Sequence, residues 1–390
     1  MASTFKTLLA DDVVHTRTLL HEAIPITGTI ASGTYVNSNA VEANIKNFSH
    51  GMFQSVYDYP YLSSSANHIF DITYGHSAEA SASATDISDG GMVQNAKKLN
   101  IYNQMAQTLL GYDVSGNIQR FSNDAKFDHV TNPWTRMDRC FFVNFSRLLT
   151  KDEIKKGSFK CTLYTEGRIP SGSDTQLFGY RDEQPATNLT ISDYQSGTEY
   201  RTSPAGDYGI LYTSSATPST NLQSASANVA GPSTGVPTGG GVGLLFYQAG
   251  VAVLSSSVFR GEFGKRAETP DVTYATSSVL ASVKSGTITQ NADAFRTRIH
   301  NIQFNNTIEL NSSIYFCRIN HNEFNYSSNP TYIDGSKIRV KNNPSDLPIT
   351  YITSVGLYSA DNELLAVAKL SEPIRKDPNT ELTLRVRLDY

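Results

Sequence analysis

The sequence predicts a mainly β protein: an antiparallel, β-sandwich-like core with a few helices in the N-terminal third. Three observations lead there. From about residue 138 onward, many short segments alternate apolar and polar with the two-residue period of a half-buried strand. Helical periodicity is concentrated before that point. Only 17% of the 390 residues are charged, below the usual quarter, and Ser, Thr, Asn and Gly fill the surface instead. Such a surface suits turns and packed interfaces more than long solvated helices. The expected organisation is a helix-rich region over 1–137 and a β-rich region over 138–390.

Taken in order, "STFKTLLADDVVHTRTLLHEA" predicts a helix, with Phe5, Leu9, Val13 and Leu20 near one face, Ser3 or Thr4 as cap, and Pro25 as stop. "ITGTIASGTYV" reads as a short hairpin turning at Gly33. "NAVEANIKNFSHGMFQSVYD" suggests a second helix, and "NHIFDITYG" a strand. The best-defined helix is "MVQNAKKLNIYNQMAQTLLGYD", where Leu99, Tyr102, Met105, Ala106, Leu109 and Leu110 form one stripe and Gly111 closes it.

Beyond residue 138, "RCFFVNFSRLL" and "SFKCTLYTEG" are strands flanking "TKDEIKKG", a one- or two-turn helix whose Thr150 and Glu153 match a capping box. "NLTISDY" and "DYGILYTSS" are further strands. A long flexible loop is expected at about 213–241, which carries no charge and no periodicity. "VGLLFYQAGVAVLSSSVF" is a hairpin turning at Gln248-Ala249-Gly250, and "SSVLASVKSG" a short helix. "TRIHNIQFNNTIELNSSIYFCRINHNEF" holds two strands, and a hairpin about "SADN" precedes the last strand, "ELTLRVRLDY". There Leu382, Leu384, Val386 and Leu388 take one face, and Thr383, Arg385, Arg387 and Asp389 the other. The connection "EPIRKDPN" is too long for a tight hairpin, so this strand is expected to cross to another sheet or a sheet edge.

Lys and Arg (32) nearly balance Asp and Glu (36), so neither a basic stripe nor a nucleic-acid partner is expected. No stretch reads as a membrane span or a signal peptide, which points to synthesis in a cytoplasm. Cys140, Cys161 and Cys317 are widely spaced and odd in number, and read as free, buried thiols.

The motifs that could carry chemistry are weak. "GPSTGVPTGGGVG" lacks the Lys that a phosphate loop needs, and reads as a flexible loop. His21-Glu22 lacks the second His of a zincin helix. His321 and Glu323, two apart, would share a strand face and could hold a cation, but no third ligand is near in sequence. Asp11 and Asp12 read as a solvated helix face. No G-x-S-x-G elbow occurs. No catalytic, cofactor-binding or metal site is therefore expected. The 21 Tyr and 18 Phe are mostly core, and the densest cluster, "MFQSVYDYPYLSSSANHIF", is a candidate contact surface or carbohydrate platform.

Four stretches point further: "GMFQSVYDYPYLSSSANHIFDITYG", "CFFVNFSRLLTKDEIKKGSFK", "GVGLLFYQAGVAVLSSSVF" and "EFNYSSNPTY…ITSVGLYSADNELLAVAKLSEPIRK". They are spread from about residue 50 toward the C-terminus, so that the resemblance spans most of the chain, and they resemble virion structural proteins of T4-like marine tailed phages, cyanophages among them. The resemblance carries no catalytic motif. It implies a non-enzymatic virion component of a contractile-tailed bacteriophage that oligomerises with copies of itself and other virion proteins. Placement in the tail or baseplate is the leading expectation, and a neck, connector or head-decoration role the alternative. A glycan-binding host-recognition module is a reading from another class, and an enzyme built around His321 and Glu323 a fourth. Interface candidates are Tyr57, Tyr59 and Tyr61, together with Arg385, Arg387 and Tyr390 of the last strand, which either closes its own core or completes a neighbour's sheet.

Overall fold

The computed structural model describes residues 5–32, 43–82, 93–125, 127, 136–166, 187–194, 196, 200–213, 241–259, 263, 265–266, 274–275, 279–327, 329–335, 337–338, 343 and 345–390. The fold is mainly β, with antiparallel sheets and few helices. The expected loop at 213–241 lies almost wholly outside the described residues. The chain forms two compact units, one of residues 21–308 and one of residues 1–20 with 309–390. These units run along other lines than the expected division at residue 137, which followed the concentration of helical periodicity.

In the larger unit the strands are the end of β1 (Val13–Thr27), β2 (Ile45–Asn47), β3 (Gln54–Tyr57), β4 (His68–His76), β5 (Arg139–Phe145), β6 (Glu153–Ile154), β7 (Lys160–Glu166), β8 (Thr187–Ser192), β9 (Arg201–Ser203), β10 (Gly206–Thr213), β11 (Gly241–Phe246), β12 (Val251–Ser255), the two-residue pair β13 (Lys265–Arg266) and β14 (Tyr274–Ala275), and the start of β15 (Ile299–Ile319). Their principal sheet has the order β1-β15-β7-β8-β10-β11-β12-β5-β4-β3-β2. Although β5 and β15 are well separated in that order, the Phe145 and Phe304 rings meet at 5.1 Å. The sheet therefore curls over its own core, which gives the sandwich-like arrangement.

Both faces of the central strands are covered. Along β5, Phe141, Val143 and Phe145 enter one apolar cluster while Cys140 and Phe142 enter another. That explains why "RCFFVNF" and "VAVLS" read as continuous apolar runs rather than alternating ones. On one face Phe295 stacks on Phe141 at 4.8 Å. On the other, the helix Asn95–Leu109 packs Ile101, Tyr102, Ala106 and Leu109. Gly75 of β4 permits this approach, since a Cβ there would lie 2.8 Å from the Tyr102 nitrogen and 2.9 Å from the Lys98 carbonyl oxygen. Lys98 is fully buried in the stripe, where its Nζ donates to the carbonyls of Val283, Lys284 and Gly286 at 2.7–3.2 Å and so caps the helix Val279–Ser285.

Several elements differ from expectation. Residues 13–27 are strand β1, not helix. Its Val13, Val14, Thr16 and Thr18 favour extended backbone, and the four-residue spacing of apolar side chains was coincidental. Gly28–Ser32 is one helical turn rather than a hairpin arm. The second expected helix contains β2 and β3. The short helix near 150 covers Arg147–Thr150, so Thr150 ends it instead of capping it, and Glu153 belongs to β6. A helix at Ile288–Arg296 was not anticipated, although Thr287 and Gln290 form a capping box there.

The smaller unit holds the start of β1, the end of β15, the two-residue hairpin β16 (Ile333–Asp334) and β17 (Lys337–Ile338), then β18 (Thr350–Tyr358), β19 (Leu364–Lys376) and β20 (Leu382–Asp389). β18 and β19 form their own antiparallel hairpin. β20 crosses from it to β15 and pairs there in regular register from Ser312↔Asp389 to Ile319↔Leu382. Backbone bonds in both directions between Asn311 and Tyr390 finish the ladder. Pro373 is tolerated within β19 because the ladder to β18 is interrupted between Ile352 and Ser354.

Candidate functional site

Among the described residues, one arrangement resembles a catalytic constellation and fails on geometry. It comprises Ser55, Asp71 and His68 in the larger unit. Ser55 Oγ donates to Asp71 Oδ1 at 2.5 Å, and His68 Nε2 approaches the same oxygen at 2.8 Å. A nucleophilic serine needs the histidine as its base, with the carboxylate behind the histidine. Here the carboxylate sits between them, and Ser55 is 3% exposed. Its role is to clamp β3 to β4.

His321 and Glu323 follow β15 in a turn rather than a strand, so they do not share a strand face. His321 Nδ1 lies 3.3 Å from Glu381, while Glu323 accepts from Lys6 Nζ at 2.6 Å, which holds its carboxyl below the usual range. His21 lies on β1 beside the Asn306 carbonyl and the Thr307 hydroxyl, each 3.3 Å from Nδ1. Among the described residues, no three His, Cys, Asp or Glu side chains gather as metal ligands. Cys140 and Cys161 are buried free thiols, and burial pushes the Cys161 thiol up to about 12. Cys317 is half-buried. No helix among the described residues is long and apolar enough to cross a membrane.

The tyrosine cluster is a half-buried surface at the β2–β3–β4 end of the principal sheet. Tyr57 lies between Tyr61, at 6.1 Å between ring centres, and His68, at 5.5 Å. Lys46 Nζ sits over Phe48 and Tyr61 at 4.8 and 5.9 Å. Tyr59 is 48% exposed, and the nearby Leu62 is 87% exposed.

The smaller unit carries the more consequential surface. Among its described residues one apolar side chain, Ile319, counts as buried, at 9% exposure. What it buries more deeply is polar. Lys376 is fully buried, and its Nζ donates to Asn325 Oδ1 at 2.7 Å, the Asp377 carbonyl at 2.8 Å and the His321 carbonyl at 3.0 Å. Thr350 Oγ1 donates to the Phe324 carbonyl at 2.5 Å. This knot ties the base of the β18–β19 hairpin to the turn after β15.

Above it the apolar faces stand apart. Leu384, Val386 and Leu388 of β20 line one side of a cavity of about 750 Å³, and Ile352, Val355 and Leu357 of β18 also line it. Phe5, Phe324, Tyr326, Tyr351 and Tyr358 line the same cavity while 39–54% exposed. The alternation in β18–β20 was legible in the sequence. The aromatic rim was not, because Phe324 and Tyr326 come from a segment without periodicity and Phe5 was read as part of a helical face.

Arg385 and Arg387 occupy the opposite, outward face of β20. Arg387 Nε donates to Asp389 Oδ1 at 2.7 Å, and its Nη2 to Ser312 Oγ at 3.0 Å. The bonds from Ser312 and Arg387 hold the Asp389 carboxyl below its usual range. Tyr390 is 72% exposed, with its backbone tied to Asn311 and its hydroxyl 3.2 Å from Ser313 Oγ. Tyr57, Tyr59 and Tyr61 thus belong to one unit and Arg385, Arg387 and Tyr390 to the other.

No family model matches the chain, and no curated protein or solved structure matches it either.

Proposed function

We propose that this chain is a non-enzymatic structural protein of a contractile-tailed phage virion, in its tail or baseplate, working by assembly with copies of itself and with other virion proteins. The observation that carries the reading is the smaller unit, whose strands present apolar faces that are half-buried and, Ile319 apart, fully buried nowhere among its described residues. A soluble monomer rarely exposes contiguous apolar surface on this scale unless another molecule covers it. The resemblance of four separate stretches to virion structural proteins supplies the setting. Peptide mass spectrometry of purified virions tests it. The chain is expected at a copy number set by three- or six-fold symmetry, and its absence from virions would overturn the reading.

A host-recognition reading is favoured by the ring surface around Tyr57, Tyr61 and Lys46. Glycan binding there predicts that replacing Tyr57, Tyr59 and Tyr61 with Ala weakens retention on host polysaccharide. Unchanged retention removes it.

A further inference from the structure

We propose that the cavity of the smaller unit is where this chain binds a second copy of itself, with Leu364 and Leu365 of one copy entering the cavity of the other. This rests on the assembly reading above, and names its site and partner.

Charge narrows the occupant. The two cations lining the cavity are already paired, Lys6 with Glu323 at 2.6 Å and Arg318 with Asp12 at 2.8 Å. A nucleic acid or an anionic lipid would find no free counter-charge there. Leu384, Val386, Leu388 and Ile352 make the floor branched aliphatic, with Thr7, Ser327, Ser354 and Asn362 elsewhere on the lining; covering such a floor is most favourable with apolar surface. What fits is another apolar protein surface.

The matching surface is on the same unit. Leu364 and Leu365 follow the hairpin turn, whose Asn362 takes a left-handed φ of 63°. They are 53% and 63% exposed and are not part of the cavity lining. Projecting aliphatic side chains and an apolar recess are thus encoded by one chain, and each copy supplies what the other lacks.

The area suffices. An aromatic side chain buries roughly 150–250 Å² when fully covered. Five rim aromatics at about half exposure, with Leu364 and Leu365 added, leave roughly 650 Å² to cover per copy. Two copies would remove about 1,300 Å², within the range of about 1,200–2,000 Å² for stable specific interfaces.

Sedimentation of the full chain over a range of concentrations tests this. The wild type is expected to self-associate reversibly. Leu365→Glu, at an exposed position, should weaken association about tenfold or more. Val114→Glu, at an exposed position of the larger unit, should leave it unchanged. Cys317 lines the cavity, so its alkylation should slow as wild-type protein is concentrated, but not in Leu365→Glu. A wild type that stays monomeric would overturn the proposal, as would Leu365→Glu associating as tightly as wild type. Native mass spectrometry finding a bound lipid in place of a second copy would do the same. None of these outcomes alters whether virions contain the chain, which is read separately from virion peptides.

Discussion

Replacing Lys376 with Met should unfold the smaller unit more effectively than trimming its apolar strands. Lys376 is 0% exposed and serves three oxygens, those of Asn325, Asp377 and His321. Methionine keeps most of the aliphatic stem and removes the ammonium. Each of these part-buried acceptors left without its donor costs about 1–2 kcal/mol, toward the low end for an unsatisfied group. The substitution also spares the desolvation of a charge, which offsets part of that loss. The net cost is about 3 kcal/mol. Val386 of β20 is only half-buried. Val386→Ala removes two methyl groups at no more than about 0.8 kcal/mol each when fully buried, so about 1 kcal/mol at most here. Native-state hydrogen exchange of the β18–β20 amides in dilute solution separates the two. At about 1.4 kcal/mol per factor of ten, Lys376→Met should speed exchange about 100-fold and Val386→Ala about fivefold. If Val386→Ala does as much as Lys376→Met, the unit is held by an apolar core and the reasoning fails.

Other perturbations bear on the rest of the chain. Gly75→Ala should push the helix Asn95–Leu109 off β4 and cost about 1–3 kcal/mol, read as a melting temperature lowered by several degrees; an unchanged melting temperature would show that the helix yields freely. Asp193 accepts from the Gly157 and Phe159 amides at 2.7 and 3.0 Å and from the Tyr247 hydroxyl at 3.1 Å, and burial pushes its carboxyl above 3.8. A raised carboxyl binds its proton more tightly in the folded state, so its penalty is full above the folded pKa and fades as pH falls toward the unfolded value. The stability of wild type relative to Asp193→Asn should therefore rise as pH falls into the ordinary carboxylate range; a fall would reverse the assignment. Removing the last nine residues strips the ladder from Ser312↔Asp389 to Ile319↔Leu382 and should leave the protein insoluble; a soluble, assembling truncation would make β20 an accessory joint.

How much the sequence revealed depended on what each segment packs against. The "SADN" hairpin and the terminal strand were legible because their two faces differ, and the length of "EPIRKDPN" already implied that the last strand leaves β19. It crosses to β15. The choice posed for that strand is settled within the chain, since β20 pairs with β15 and Tyr390 with Asn311. β5 and β12 were legible as strands from composition, though not as doubly covered ones, because a run such as "VAVLS" does not say what lies on either side. β1 was misread because its Leu and Val spacing mimics a helical face. Its β-branched residues were the better guide, and most of its side chains stay exposed. The polar knot at Lys376 was invisible, since nothing local distinguishes a lysine that will be buried against three oxygens from a solvated one. The candidate site was half legible: its strand floor followed from alternation, and its aromatic rim required the fold.

The central claim is that this chain is an assembly component whose smaller unit is completed by another copy. A density map of the purified virion at side-chain resolution tests it most directly. The account predicts copies at symmetry-related positions with Tyr358 and Val386 covered by Leu364 and Leu365 of a neighbour. A map in which every copy turns that cavity to solvent, or in which the chain has no place, would contradict it.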